Sequence, residues 1–190
     1  MTAPNPDLTR LMNLAAQGDS SASDAIVPEL YEELRRLARW NMSRMPHGQT
    51  LQATALINEA WIRIAGRDDQ EWECRKHFYF AAARAMRDIL IEDARHKSAE
   101  KRGGGRRRVE LEDLHLVVEA PTEHMLELDA ALRHLENVDN EGFRLVMLRF
   151  FTGISMEETA ALLETPVRST ERKWRFVRSW LRREMGVDLD

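Results

Sequence analysis

A single cysteine, Cys74, in 190 residues leaves no internal disulfide to staple the fold, a usage that fits a reducing compartment. Glycine and proline are sparse, at nine and six, and β-branched runs are short, so an all-α protein is expected. No apolar run approaches the length of a membrane span, and the start MTAPNPDLTR has neither the basic nor the apolar part of a signal peptide. A cytoplasmic protein without membrane insertion is therefore expected. Chemistry-bearing constellations are missing too: there is no nucleophile beside a base, no carboxylate dyad and no P-loop. KRGGGRRR (101–108) has glycines and positive charge but not the P-loop order, and no strand precedes it. Cys74 and His77 have a spacing that suits two metal ligands, but no second pair accompanies them. No enzyme, metal or cofactor is expected.

What is present is charge, unevenly placed. Hydrophobic residues make up 43% of the chain, enough for a core, and charged residues 32%, with a formal net charge of −4. Between Arg84 and Arg108 nine basic residues stand against four acidic ones; between Arg168 and Arg183 seven stand against Glu171 alone. The acid is concentrated between Glu110 and Glu141 and in the first third. Two basic patches on an acidic chain point to one polyanion held at two places.

Helical periodicity supplies the organisation. After an expected disordered start (1–6) and a short helix capped by Asp7, a helix from about Ser23 to Met45 has Ile26, Leu30, Leu34, Leu37 and Trp40/Asn41 as its inner stripe, with Pro28 in the first turn. Thr50–Ala65 follows, with Leu51, Ala55, Ile57, Trp61 and Ile64 mainly buried. A polar loop (66–75) carries Trp72, which serves either as a lid on the core or as a stacking platform for an unpaired base. His77–Lys97 buries Phe78, Ala82, Ala85, Met86, Ile89 and Leu90, and turns Arg84, Arg87, Asp88 and Arg95 to the opposite face. These spacings predict a helical domain over 1–97, a flexible linker over 98–122 and a second helical domain over 123–190. The second begins with a stripe of Met125, Leu126, Leu128, Ala131, Leu132 and Leu135, then a helix over Glu141–Phe151 stopped by Gly153.

The most informative stretch is Ile154–Glu184. Ser155 suits an N-cap, with Glu158 placed to complete a capping box. Glu164-Thr165-Pro166 forms the break, with Thr165 the expected cap and Pro166 in the first turn of the next helix. That helix buries Val167, Thr170, Trp174, Val177 and Leu181 and exposes a row of arginines. A short helix, a tight turn and a longer basic helix make a helix-turn-helix, whose second helix fits the major groove. An ordinary bundle with a solvated basic helix has the same charge run; agreement of cap, turn and charge favours DNA reading.

Taken together, TLQATALINEAWIRI, WECRKHFYFAAARAMRDILIEDARHKSAEKRGGGRRR and RFFTGISMEETAALLETPVRSTERKWRFVRSWL resemble the second and fourth regions of extracytoplasmic-function sigma factors of bacterial RNA polymerase, over about residues 8–185. The AEKRGGG run is similar to one subgroup. The resemblance implies two small helical domains joined by a linker and a function in promoter recognition and transcription initiation. Partners would be core RNA polymerase and promoter DNA, with an anti-sigma or other regulatory protein allowed, and the free chain would be a monomer. It also implies roles: Leu56, Asn58, Glu59 and Arg63 dock on the polymerase; Trp72, Arg84, Arg87, Asp88 and Arg95 meet the −10 element. Arg168, Ser169, Arg172, Lys173 and Arg175 would meet the −35 element. The competing reading is a dimeric helix-turn-helix regulator that acts without polymerase.

Overall fold

A computed structural model describes residues 10–12, 14, 17, 19–43, 53–65, 75–100 and 122–186. Trp72, Cys74, the cap at Asp7, the expected disordered start and linker residues 101–121 lie outside the described residues. Those described hold seven helices and no strand: α1 (Ser20–Met42), α2 (Ala53–Ala65), α3 (Arg75–Glu100), α4 (Thr122–Val138), α5 (Asn140–Phe151), α6 (Met156–Leu163) and α7 (Val167–Glu184). Arg10–Met12 and Leu14 are helical as well.

Helix α1 starts three residues before the sequence expectation because Asp19 caps it, accepting from the amides of Ser21 at 2.9 Å and Ala22 at 3.1 Å. Pro28 consequently lies inside the helix rather than in its first turn, on the exposed side. Ile26, Leu30, Leu34, Leu37 and Ala38 are buried as one stripe. In α2 the buried set is Leu56, Ile57, Ala60 and Ile64, while Ala55 is exposed and Trp61 only half-buried against Tyr31. Ile57 and Ile64 are buried as expected, whereas Ala55 and Trp61 give way to Leu56 and Ala60, because TALINEAWIRIA offers apolar residues on nearly every side.

Helix α3 is the common wall of the molecule. Phe78, Tyr79, Ala82, Ala85, Met86 and Ile89 pack into a core with α1 and α2. Ala83, Leu90, Ile91 and Ala94, from its other side, join a second core built by α4, α5 and α7. The run Ala81-Ala82-Ala83 lets neighbours approach closely on both sides. The cores also exchange residues, since Leu148, Ile154 and Leu162 of the second half lie in the first.

Helix α5 is apolar nearly all round and correspondingly buried, from Phe143 through Phe151. Asp139 caps it through the Gly142 amide at 3.0 Å. Glycine is required at 142, since a Cβ would come within 2.6 Å of that same carboxylate and 2.8 Å of Val177. Gly153 follows at φ +67, packed beneath the Trp40 indole of α1. Next to this contact the Asn41 side-chain amide donates to the Phe151 carbonyl at 2.6 Å. Both contacts tie the end of α1 to the end of α5.

Candidate nucleic-acid interface

The helix-turn-helix forms as the residues require, with two local differences. Ser155 caps α6, accepting from the Glu158 amide at 3.0 Å. The Glu158 side chain does not return to complete the capping box; it turns inward to Arg75 and Tyr79 and is nearly fully buried. The turn needs one left-handed residue, and Glu164 supplies it at φ 56, a position glycine would occupy without strain. Its carboxylate pairs with Lys76 at 2.9 Å, and that contact holds it below the usual carboxylate range. Thr165 does not cap α7, whose N-cap is Pro166 without a side-chain bond. Instead the Thr165 hydroxyl pairs with that of Thr170 at 2.8 Å. Thr170 also donates to the Pro166 carbonyl at 3.2 Å, so the hydroxyl inside the apolar stripe is satisfied.

On α7, Thr170, Trp174, Val177 and Leu181 are buried, and Arg168, Arg172 and Arg175 are exposed on the opposite side. Val167, expected inside, is exposed instead. The seven helical steps from Arg168 to Arg175 rise about 10 Å, a length that lies within one major groove. Ser169 is half-buried beside this row. Lys173 stands apart: its ammonium lies 2.8 Å from Asp139 and 3.4 Å from Glu141. Hydrogen bonding to Asp139, with the neighbouring charges, raises its pKa. It therefore anchors α7 to the start of α5 rather than facing outward. Phe176, which sequence reasoning passed over, is 59% exposed. Its signal was an aromatic four residues after Arg172, off the buried stripe.

The α3 set is differently placed. Arg84 and Arg95 are exposed and Asp88 projects to solvent, but Arg87 is only 9% exposed. The Arg87 guanidinium meets Asp129 of α4 at 2.7 Å and lies over the Phe143 ring at 5.8 Å. Arg95 reaches the same carboxylate at 3.4 Å, and Arg84 approaches Glu136 at 3.7 Å. Asp129 was not foreseen, although an acid within the stripe of Met125, Leu128 and Leu132 demands a cationic partner.

On α2, Leu56 is fully buried and supports the helix from within, so it offers no docking surface. Asn58 is exposed and accepts from the Tyr31 hydroxyl at 3.2 Å. Glu59 pairs with Arg63 at 2.9 Å, and Arg63 continues to Glu92 of α3 at 2.6 Å. Ile62, 63% exposed between Asn58 and Glu59 on the helix surface, is the apolar centre of this face. It, too, was legible as an apolar residue four positions after Asn58.

A buried polar cluster joins the two halves at the other end of α3. Tyr79 donates to Glu33 of α1 and sits 3.2 Å from Glu158 of α6. Arg36 pairs with Glu33, and Arg75 with Glu158. Burial works against ionising Glu33, but hydrogen bonds from Arg36 and Tyr79 outweigh it and lower the pKa. Burial, reinforced by both carboxylates, raises the Tyr79 pKa well above its ordinary value.

Among the described residues no group of His, Cys, Asp and Glu is arranged to hold a metal ion, and no helix is long and apolar enough to cross a membrane. Arg168, Arg172 and Arg175 on α7, Arg84 and Arg95 on α3, and the apolar Phe176 and Ile62 are the exposed side chains of these faces. A family model described as ECF sigma factor matches residues 5–187. No curated protein matches the sequence. With a basic helix-turn-helix in place and a match over nearly the whole chain, this protein belongs to the ECF sigma factor family, the non-catalytic subunits that act in promoter recognition with RNA polymerase.

Proposed function

We propose a division of labour within that function. Helix α7 enters the major groove of the −35 element and reads bases through Arg168, Arg172 and Arg175, with Ser169 beside them. The polar face of α3, with Arg84, Arg87, Asp88 and Arg95, serves the −10 element together with Trp72. Removing a base from its stack there is offset by aromatic stacking and polar contacts to its edge. The outer face of α2, with Asn58, Glu59 and Ile62, and Arg63 behind them, docks on the coiled coil of the polymerase's largest subunit. Modules over 1–97 and 123–190 then engage two promoter elements whose spacing the polymerase sets. The free chain is monomeric and cytoplasmic, and an anti-sigma or other regulatory protein that covers α2 would switch it off.

The observation that carries this reading is the outward row Arg168–Arg172–Arg175, opposite a fully packed stripe, on a helix seated in a capped helix-turn-helix. Run-off transcription with purified core enzyme, on promoters selected from a random library, tests it. Glu59→Arg abolishes transcription and core binding while the circular dichroism spectrum is unchanged. A free chain that binds promoter duplex tightly as a dimer, and ignores core enzyme, overturns the reading in favour of a regulator that acts alone.

A further inference from the structure

Among the cations between Arg168 and Arg183, α7 carries one acid, Glu171. It is exposed, with Arg168 three residues before it and Arg175 four after, the spacings at which a carboxylate on a helix pairs with a guanidinium. It pairs with neither. Among the described residues no hydrogen bond or ion pair reaches the Glu171 carboxylate, and Arg168, Arg172 and Arg175 are likewise unpaired. Acids around the two ends of α7 behave otherwise: Asp139 lies 2.8 Å from Lys173, and Glu184 meets the His134 ring at 2.7 Å. At about 100° per residue, Glu171 and Phe176 fall about 140° apart, at the two edges of the outward arc, with Arg175 and Arg172 between them. The rise from Glu171 to Phe176 is about 7.5 Å, close to two base-pair steps of about 3.4 Å.

A carboxylate in a major groove selects through what it cannot do, since it only accepts. Guanine presents acceptors at N7 and O6, thymine one at O4, and adenine one at N7 beside its amino group. Cytosine alone offers a donor there with no acceptor of its own beside it. Phosphates repel the same charge, so without a base contact Glu171 would only weaken binding. We infer that Glu171 determines the sequence at one edge of the −35 element, its carboxylate accepting from the N4 amino group of a cytosine and excluding guanine and thymine from that position. The inference rests on the reading above that α7 enters the major groove of that element. Arg175, one turn further along, takes O6 and N7 of a guanine within about two base pairs of the cytosine. Phe176 bounds the opposite edge, so the element carries a cytosine and a guanine on the Glu171 side and meets an apolar group on the other.

The test compares holoenzymes with the wild-type chain, Glu171→Ala and Glu171→Gln in selections from randomised upstream elements. Wild type should enrich cytosine at one position, and Glu171→Ala should lose that preference alone. Glu171→Gln, which both donates and accepts, should move the preference to adenine. Replacing the cytosine with 2-pyrimidinone, which lacks the amino group, should weaken wild-type holoenzyme about tenfold beyond its effect on Glu171→Ala, which controls for the weaker base pair. The side chain is exposed and unpaired, so circular dichroism of both variants should match wild type. Uniformly tighter binding by Glu171→Ala with the selected sequence unchanged overturns the inference, since the acid is then only a brake on phosphate attraction. Loss of preference for a base other than cytosine overturns it too. Arg172→Ala examines the underlying reading separately. If it also leaves the selected sequence unchanged, α7 does not read the element; if it alters the sequence and Glu171→Ala does not, only the assignment of Glu171 falls.

Discussion

Gly153→Ala is the sharpest probe of how the two halves fit. The residue sits at φ +67, where a side chain costs about 1–2 kcal/mol. A Cβ would also come within 2.1 Å of the Trp40 indole, which would have to shift. Forcing extra volume into a packed site costs a further 1–3 kcal/mol or so. Together the substitution should destabilise by about 2–5 kcal/mol, a large part of the roughly 5–15 kcal/mol that holds a typical domain together. The measurement is guanidinium unfolding of the full chain followed by far-UV circular dichroism. Trp40→Ala removes the obstacle, so in that background Gly153→Ala should cost only the backbone part, leaving a coupling of about 1–3 kcal/mol between the sites. A cost below about 1 kcal/mol, or an equal cost with and without Trp40, refutes the contact and with it the seating of α1 on α5.

Other outcomes follow from the same structure. The lowered pKa of Glu33 gives a contribution to stability that is present above its ordinary 4.5 and lost as acid protonates it, while the raised pKa of Tyr79 gives one present below its ordinary 10.0 and lost above. Tyr79→Phe should flatten the alkaline limb of a stability–pH curve. Glu164→Gly relieves the left-handed backbone and should raise stability by about 1 kcal/mol despite losing the exposed pair with Lys76, as read by thermal unfolding. Arg172→Ala should change base preference at the upstream element by about 1–3 kcal/mol in a selection assay, whereas Lys173→Ala should lower the melting temperature and leave preference unchanged. Phe176 is suited to contact a thymine methyl group; replacing thymines one at a time with uracil should weaken wild-type holoenzyme at one position and leave Phe176→Ala indifferent to that change.

Local periodicity made most of the helices legible. In α7 the expected Thr170, Trp174, Val177 and Leu181 are the buried set, and in α4 the expected stripe holds Met125, Leu128, Ala131, Leu132 and Leu135. Those helices bury one face each, so apolar spacing and fold say the same thing. Helix α3 buries two, and its alanines carry no strong preference for either, so Ala83, Ile91 and Ala94 were not foreseen inside, and Arg87, expected beside the exposed Arg84, Asp88 and Arg95, is buried against α4. Pairings across long separations left the least trace. Asp129 finds Arg87 at a distance of 42 residues along the chain, and Arg75 draws Glu158 away from its capping box across 83. A local rule places Glu158 correctly at the third position of a helix; what it bonds is decided by a cation elsewhere.

The tie between Asn41 and the Phe151 carbonyl spans 110 residues, and this bears on how the protein is made. At about 5–20 residues per second a ribosome needs roughly 5–20 s to add that much chain. For all that time α1, and from early in it α2, lack Leu148, Ile154 and Leu162, which complete their core. The nascent first half therefore carries an uncovered apolar surface until translation is nearly finished. Slow synthesis through the region after α3 lengthens that exposure, and a chaperone acting on the nascent chain would meet α1–α3 first.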